Sequence, residues 1–145
     1  MIACRLRLDA EEDVSRLIAD FVGALSRKAE LTPRQAYRLR LAVDEITTNV
    51  ALHGYRDACQ GVVDLEGGMD DERVWVRIED DAAEFDPRSH DPGPRLSVPP
   101  ARREAGGLGL YLALRNVDAF TYDRTGGRNR NTLFIVRTPG IGTDD

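Results

Sequence analysis

The chain has 145 residues, 41% hydrophobic and 31% charged, with 25 acidic against 20 basic side chains and a net charge of −5. This is the make-up of one soluble globular domain long enough to bury a core, and its acidic balance argues against nucleic acid as the main partner. No apolar run approaches the roughly 20 residues that span a bilayer, Met1-Ile2-Ala3-Cys4-Arg5 lacks the apolar core of a signal peptide, and Cys4 and Cys59 form neither a CxxC pair nor a zinc spacing, so a cytoplasmic protein with reduced thiols and no membrane contact is expected.

Ile2, Cys4, Leu6 and Leu8 alternate along the chain and predict an opening strand from Ile2 to Leu8. Asp9 and Glu12 form an Asp-x-x-Glu capping signature. Val14, Leu17, Ile18, Phe21, Val22 and Leu25 then recur at helical spacing, giving a first helix that ends near Lys28. Thr32-Pro33-Arg34-Gln35 supplies a capping threonine, a proline at the first helical position and a glutamine to close the capping box. The second helix is expected to run from there through His53, with Gly54 as its left-handed stop.

Gly61 to Glu66 and Arg73 to Glu79 read as strands around a turn at Gly67-Gly68-Met69-Asp70-Asp71, with Val74, Val76 and Ile78 on one face and Trp75 and Arg77 on the other. Asp86 to Ala105 holds Pro87, Pro92, Pro94, Pro99 and Pro100 and shows no periodicity, and a loop of that length in a compact domain is functional or mobile. Gly106-Gly107-Leu108-Gly109 ends it, Leu110 to Val117 resumes as a short helix, and Ala119 to Asp123 and Thr132 to Arg137 close the chain as strands.

Four features of this order carry chemistry. Glu45, Asn49 and His53 stand at i, i+4 and i+8 of the second helix, a stripe that drifts about 40° per step. Leu39, Ala42, Val43, Ile46 and Val50 lie on one side of it, Leu41 and Leu52 on the other. A carboxylate at the edge of a core costs stability unless partnered and is a functional candidate; the alternative is the surface stripe of an ordinary amphipathic helix. The acidic turn Glu79-Asp80-Asp81-Ala82-Ala83-Glu84-Phe85-Asp86-Pro87 follows a strand and reads as a ligand turn, a solvated loop or a hard-cation site. The glycine run before the third helix is a plain turn or an anion cradle, because glycine lets N–H groups approach a phosphate at a helix N-terminus. Gly126-Gly127-Arg128-Asn129-Arg130-Asn131-Thr132-Leu133 leads into the last strand. Arg124, Arg128 and Arg130 read as solvated surface.

The order of these four features resembles the GHKL ATPase superfamily and, within it, the anti-sigma-factor serine/threonine kinases of the RsbW and SpoIIAB group. Ala42-Val43-Asp44-Glu45-Ile46-Thr47-Thr48-Asn49 with His53-Gly54-Tyr55 is similar to that group's N box, and Gly106-Gly107-Leu108-Gly109-Leu110-Tyr111-Leu112 to its second glycine box. The resemblance covers nearly the whole chain. It implies one domain over residues 1–145, an α+β fold of the two-layer Bergerat type with a mixed, mostly antiparallel sheet and helices on one face, and an ATP lid over about residues 87–106. The implied cofactors are ATP and Mg²⁺. Glu45 would orient or deprotonate the attacking hydroxyl, Asn49 would ligate Mg²⁺, and Asp80 would accept from the adenine amine. His53, Ala82, Arg103, Gly106, Gly107, Leu108, Gly109, Leu110 and Thr132 would complete the ATP site. Such a kinase would sequester a sigma factor, phosphorylate an anti-anti-sigma protein of the STAS type, and form a homodimer.

The acidic turn departs from the relatives' Asp-x-Gly-x-Gly or Asp-x-Gly-x-Pro pattern. Ala82 replaces a glycine and resists positive φ, and Glu84 brings negative charge toward an anionic ligand. Strain there would weaken ATP binding by about 1–2 kcal/mol. A non-catalytic partner-switching module with weak or no nucleotide binding is the alternative.

Overall fold

The computed structural model describes residues 2–9, 14–50, 62–89 and 107–137. Among them five strands and three helices form two layers: β1 (Ile2–Asp9), α1 (Val14–Lys28), α2 (Pro33–Asn49), β2 (Val62–Met69), β3 (Arg73–Asp80), a 3-10 turn at Pro87–Ser89, α3 (Gly107–Asn116), β4 (Ala119–Thr125) and β5 (Arg128–Val136). The sheet runs β1-β2-β3-β5-β4. Every pairing among the described residues is antiparallel, in keeping with the mostly antiparallel sheet expected from the sequence.

Local sequence accounts for these elements. At the start of α2, Thr32 Oγ1 accepts from the Gln35 N–H and Gln35 Oε1 accepts from the Thr32 N–H, closing the capping box. Gln35 Nε2 then donates to the Val136 carbonyl, tying the helix start to β5. At the other end of α1, Glu30 takes φ 57, and the Leu31 N–H donates to the Ser26 carbonyl. This is a left-handed helix stop occupied by a residue other than glycine.

Val74, Val76, Ile78, Leu133 and Ile135 on β3 and β5 are fully buried against Leu39, Ala42, Val43 and Ile46 of α2 and against Phe21, Val22 and Leu25 of α1. Leu110 and Ala113 bring α3 onto the same core, alongside α2. The opposite sheet face carries charge. Arg7 pairs with Asp64 at 2.7 Å, Arg5 with Glu66 at 3.1 Å, Arg77 with Glu66, and Arg128 with Asp64 at 3.0 Å. Such exposed pairs each contribute little; their effect is to keep that face hydrated. No helix among the described residues is long and apolar enough to cross a membrane.

Three expected boundaries move. Gly67, Gly68 and Met69 belong to β2, and the turn is Asp70-Asp71-Glu72, where Asp70 Oδ1 accepts from the Glu72 and Arg73 N–H groups at 2.8 Å. Gly67 stays in the strand because α1 packs directly on it: a Cβ there would lie 2.7 Å from Leu25 Cδ2. The third helix starts at Gly107 rather than Leu110. Finally, β5 begins at Arg128, four residues early, because Gly126 (φ 60) and Gly127 (φ 77) make a two-residue hairpin turn whose geometry requires positive φ at both positions. The cap at Glu12 and the end of the second helix at His53 and Gly54 lie outside the described residues.

Candidate functional site

The antiparallel register of β3 with β5 sets Val74 opposite Ile135, Val76 opposite Leu133, Ile78 opposite Asn131 and Asp80 opposite Asn129. On this face, side chains turn from apolar to polar toward the Asp80 end, and a cleft opens there. It encloses about 550 Å³, part of it open to solvent, and is lined by Ile46, Asn49 and Val50 of the α2 end, by Asp80, Ala82, Ala83, Glu84, Phe85 and Pro87, and by Asn129 and Asn131.

Asp80 is 1% exposed. Its Oδ1 accepts from Asn129 Nδ2 at 2.8 Å and from the Ala82 N–H at 3.0 Å. Its Oδ2 is buried and accepts no hydrogen bond from the described residues. Burial pushes its pKa above the usual carboxylate value, opposed by those two hydrogen bonds. A buried acceptor without a donor costs about 1–3 kcal/mol, which marks Oδ2 as a seat for a ligand N–H. Ile46, Val50, Ala82, Phe85 and Pro87 supply apolar surface for a flat ring beside it. The cleft therefore fits an aminopurine.

Asn129 was not foreseen as a site residue. It is 3% exposed and bridges the sheet to the acidic turn. Its Oδ1 accepts from the Phe85 N–H at 3.2 Å, Tyr122 Oη at 2.5 Å and Arg124 Nη1 at 3.0 Å. Its Nδ2 reaches Asp80 Oδ1, the Ala82 carbonyl at 3.3 Å and the Ala83 carbonyl at 3.0 Å. The available signal was Gly126-Gly127 between two strands: counting forward from that hairpin puts Asn129 in β5, opposite Arg124, whereas its place beside Asp80 follows from the non-local pairing of β3 with β5.

Of the residues expected from the sequence, Asn49, Asp80 and Ala82 meet in this cleft. Glu45 lies one turn earlier on α2, outside the cleft wall, with its carboxylate against Gly109 at the start of α3: a Cβ on Gly109 would be 2.6 Å from Glu45 Oε2. Burial, and then the neighbouring Asp44, raise the Glu45 pKa. Gly107, Leu108 and Gly109 form the first turn of α3.

Thr132 is corrected. It lies on the charged face of β5, between Arg77 and Thr121 in register, and its neighbour Asn131 faces the cleft instead, since one step along a strand reverses the side chain. The Leu110 side chain is 1% exposed within the hydrophobic core and lines no part of the cleft. The strain expected at the acidic turn is also absent: Glu30 is the one non-glycine residue with positive φ among the described residues, so Ala82 and Glu84 sit in ordinary backbone conformations. His53, Arg103, Gly106 and the expected lid beyond Ser89 lie outside the described residues.

A two-layer α+β domain with a ring-sized cleft at the end of its central strands and a Glu–Asn stripe on the adjoining helix has the layout of a nucleotide-binding ATPase domain. The sequence matches the histidine kinase-like ATPase domain over residues 8–136, and the chain belongs to that family. It is similar to the serine-protein kinase RsbW of Bacillus velezensis, 29% identical over 110 residues that cover 74% of this chain and 69% of the relative. The serine-protein kinase RsbW of Bacillus subtilis is 28% identical over 110 residues, with the same coverage. The anti-sigma F factor of Bacillus velezensis is 25% identical over 117 residues, 80% of this chain and 77% of the relative.

Proposed function

We propose that the chain is an ATP-dependent protein serine kinase that acts as an anti-sigma factor, holding a sigma factor and phosphorylating a serine on a competing anti-anti-sigma protein. The observation that carries this reading is the buried Asp80 Oδ2, without a donor among the described residues, in a ring-sized cleft that Asn49 lines and that Glu45 flanks one turn away on α2. The names of the relatives supply the class of protein partner.

Bound Mg-ATP would supply the phosphoryl group and the charge neutralisation that its transfer needs. Asp80 Oδ2 would accept an N–H from the adenine amine, and Ile46, Val50 and Phe85 would cover the ring. Asn49 would offer an amide oxygen to the metal, and the N-terminal turn of α3 at Gly107 and Gly109 would supply backbone N–H groups and positive potential to phosphate. Glu45, held above the usual carboxylate pKa by burial, is suited to take the proton from the attacking serine hydroxyl. The added phosphate then breaks the complex with the substrate protein by charge repulsion at the interface.

The test is calorimetric titration of Mg-ATP into the wild type and Glu45→Ala, followed by incubation with a purified STAS-type protein from the same host and mass spectrometry for phosphoserine. The expected result is ATP affinity within about threefold for both proteins, and phosphoserine formed by the wild type alone. No ATP binding by the wild type removes the kinase reading. Undiminished phosphorylation by Glu45→Ala removes Glu45 from the mechanism.

A further inference from the structure

The acidic turn from Asp81 to Asp86 lacks the glycines that would let its backbone shape itself around a base, and it makes no ladder with the sheet. Asn129 is what fastens it: one side chain on β5 binds Phe85 N–H, the Ala82 and Ala83 carbonyls and Asp80 Oδ1. Tyr122 and Arg124, on the next strand, hold Asn129 from behind through its Oδ1, and Arg124 Nη1 also donates to the Ala82 carbonyl at 3.2 Å.

We infer that Asn129 is the positioning residue of the nucleotide site, turning the Asp80 carboxylate so that Oδ2 alone faces the amine of a 6-aminopurine. The inference rests on the nucleotide reading of the cleft. With Oδ1 saturated by Asn129 Nδ2 and the Ala82 N–H, the carboxylate cannot rotate without breaking two buried hydrogen bonds. Oδ2 is then a fixed acceptor, and it discriminates a base bearing an amine at that place from one that lacks it. Only an amide fills this role. The position must donate to Asp80 and to two carbonyls while accepting from three donors, so neither a carboxylate nor an apolar side chain can replace it.

The charge environment of Asp80 makes the idea testable by pH. Asp81 in its own turn raises its pKa, Arg128 on β5 lowers it, and Asn129 lowers it by donating to the ionised form. Glu84 lines the same cleft, and Tyr122 and Arg124 reach Asp80 through Asn129. In the wild type the acceptor is lost as pH falls toward the raised Asp80 pKa, so ATP affinity declines on acidification. In N129D an ionised carboxylate faces Asp80 at neutral and higher pH, and a proton shared between the two restores a donor at lower pH. Its affinity therefore rises on acidification, the reverse of the wild type.

The experiment is titration calorimetry of the full chain with ATP and with purine riboside triphosphate, which lacks the 6-amine. Wild type, N129D and Asn129→Leu are compared from pH 9 down to the lowest pH at which each stays folded, with thermal unfolding of each. The wild type is expected to prefer ATP by about tenfold or more. Asn129→Leu is expected to lose most of that preference, and N129D to show the inverted pH slope. Unchanged selectivity and slope in both variants overturn the inference, as does an equal loss of affinity for the two nucleotides that follows the drop in Tm, the signature of a purely structural residue. Failure of the wild type to bind either nucleotide overturns the nucleotide reading and the inference together, whereas wild-type binding with unaltered variants overturns the inference alone.

Discussion

Gly109→Ala is expected to separate the stability of this domain from its proposed phosphotransfer. A Cβ at that position would lie 2.6 Å from Glu45 Oε2 and 2.8 Å from its Cδ and Oε1. Ordinary contact between a methyl group and a carboxylate is about 3.3–3.5 Å, so the carboxylate must retreat by about 0.7 Å. It stands at the end of a flexible, partly exposed side chain, and the movement costs the fold little. Alanine in a helix is meanwhile favoured over glycine by about 0.5–1 kcal/mol. Thermal unfolding should therefore show an unchanged or higher Tm. The Asp80 end of the cleft is untouched, so ATP affinity should stay within about threefold by calorimetry. The phosphotransfer rate should fall by about 10²-fold, the cost of misplacing a reacting group by about 1 Å. A full rate of phosphoserine formation would refute the argument that Gly109 fixes where the Glu45 carboxylate stands. A steep fall in Tm would refute the claim that Glu45 yields at low cost.

Two other glycine-related positions test packing and backbone. Gly67→Ala would set a methyl 2.7 Å from Leu25 Cδ2 and 3.2 Å from Phe21 Cζ, so α1 must lift from the sheet; a loss of about 1–3 kcal/mol in urea denaturation is expected, and unchanged stability would show that α1 repacks freely. Glu30→Gly relieves the positive φ at the end of α1 and should stabilise by about 0.5–1 kcal/mol. A lower Tm for that variant would contradict the left-handed stop.

The sequence made the helices plain because their signals are local and redundant. Thr32, Pro33 and Gln35 each favour the same helix start, and the i, i+3, i+4 recurrence from Val14 to Leu25 leaves no other period. Strand ends were harder, since glycine is ambiguous. Gly67 and Gly68 look like a turn, yet Gly67 is held in β2 by a helix that packs where a side chain would stand, a reason that exists only in three dimensions. Gly126-Gly127 was a true turn, and reading it as an unformed lead-in hid the start of β5 and with it Asn129. The exchange of Thr132 for Asn131 has the same root: a face assignment needs the register, and register follows from the hairpin. At Ala82 the error was physical. Absence of glycine predicts strain, whereas the turn keeps negative φ at Ala82 with a side chain as its brace.

That brace accounts for why the polar end of the sheet is stable at all. From Val74 and Ile135 to Asp80 and Asn129, one face of β3 and β5 passes from a closed apolar core to a set of buried polar groups. Left to themselves, a buried carboxylate and the carbonyls of an irregular turn would each cost free energy. Asn129 removes most of that cost by pairing Asp80 Oδ1, the Ala82 and Ala83 carbonyls and the Phe85 N–H at once, and Tyr122 and Arg124 complete its own pairing. Asp80 Oδ2 and Asn131 Oδ1 are left without hydrogen-bond donors on this face. Both line the cleft. At this end of the sheet the unsatisfied capacity thus lies where a ligand can reach it, and on the proposed nucleotide reading the free energy lost by leaving Oδ2 unpaired in the free domain would be recovered when a base donates to it. The sheet supplies the rigidity that makes this recovery selective, because an acceptor free to turn would satisfy itself elsewhere.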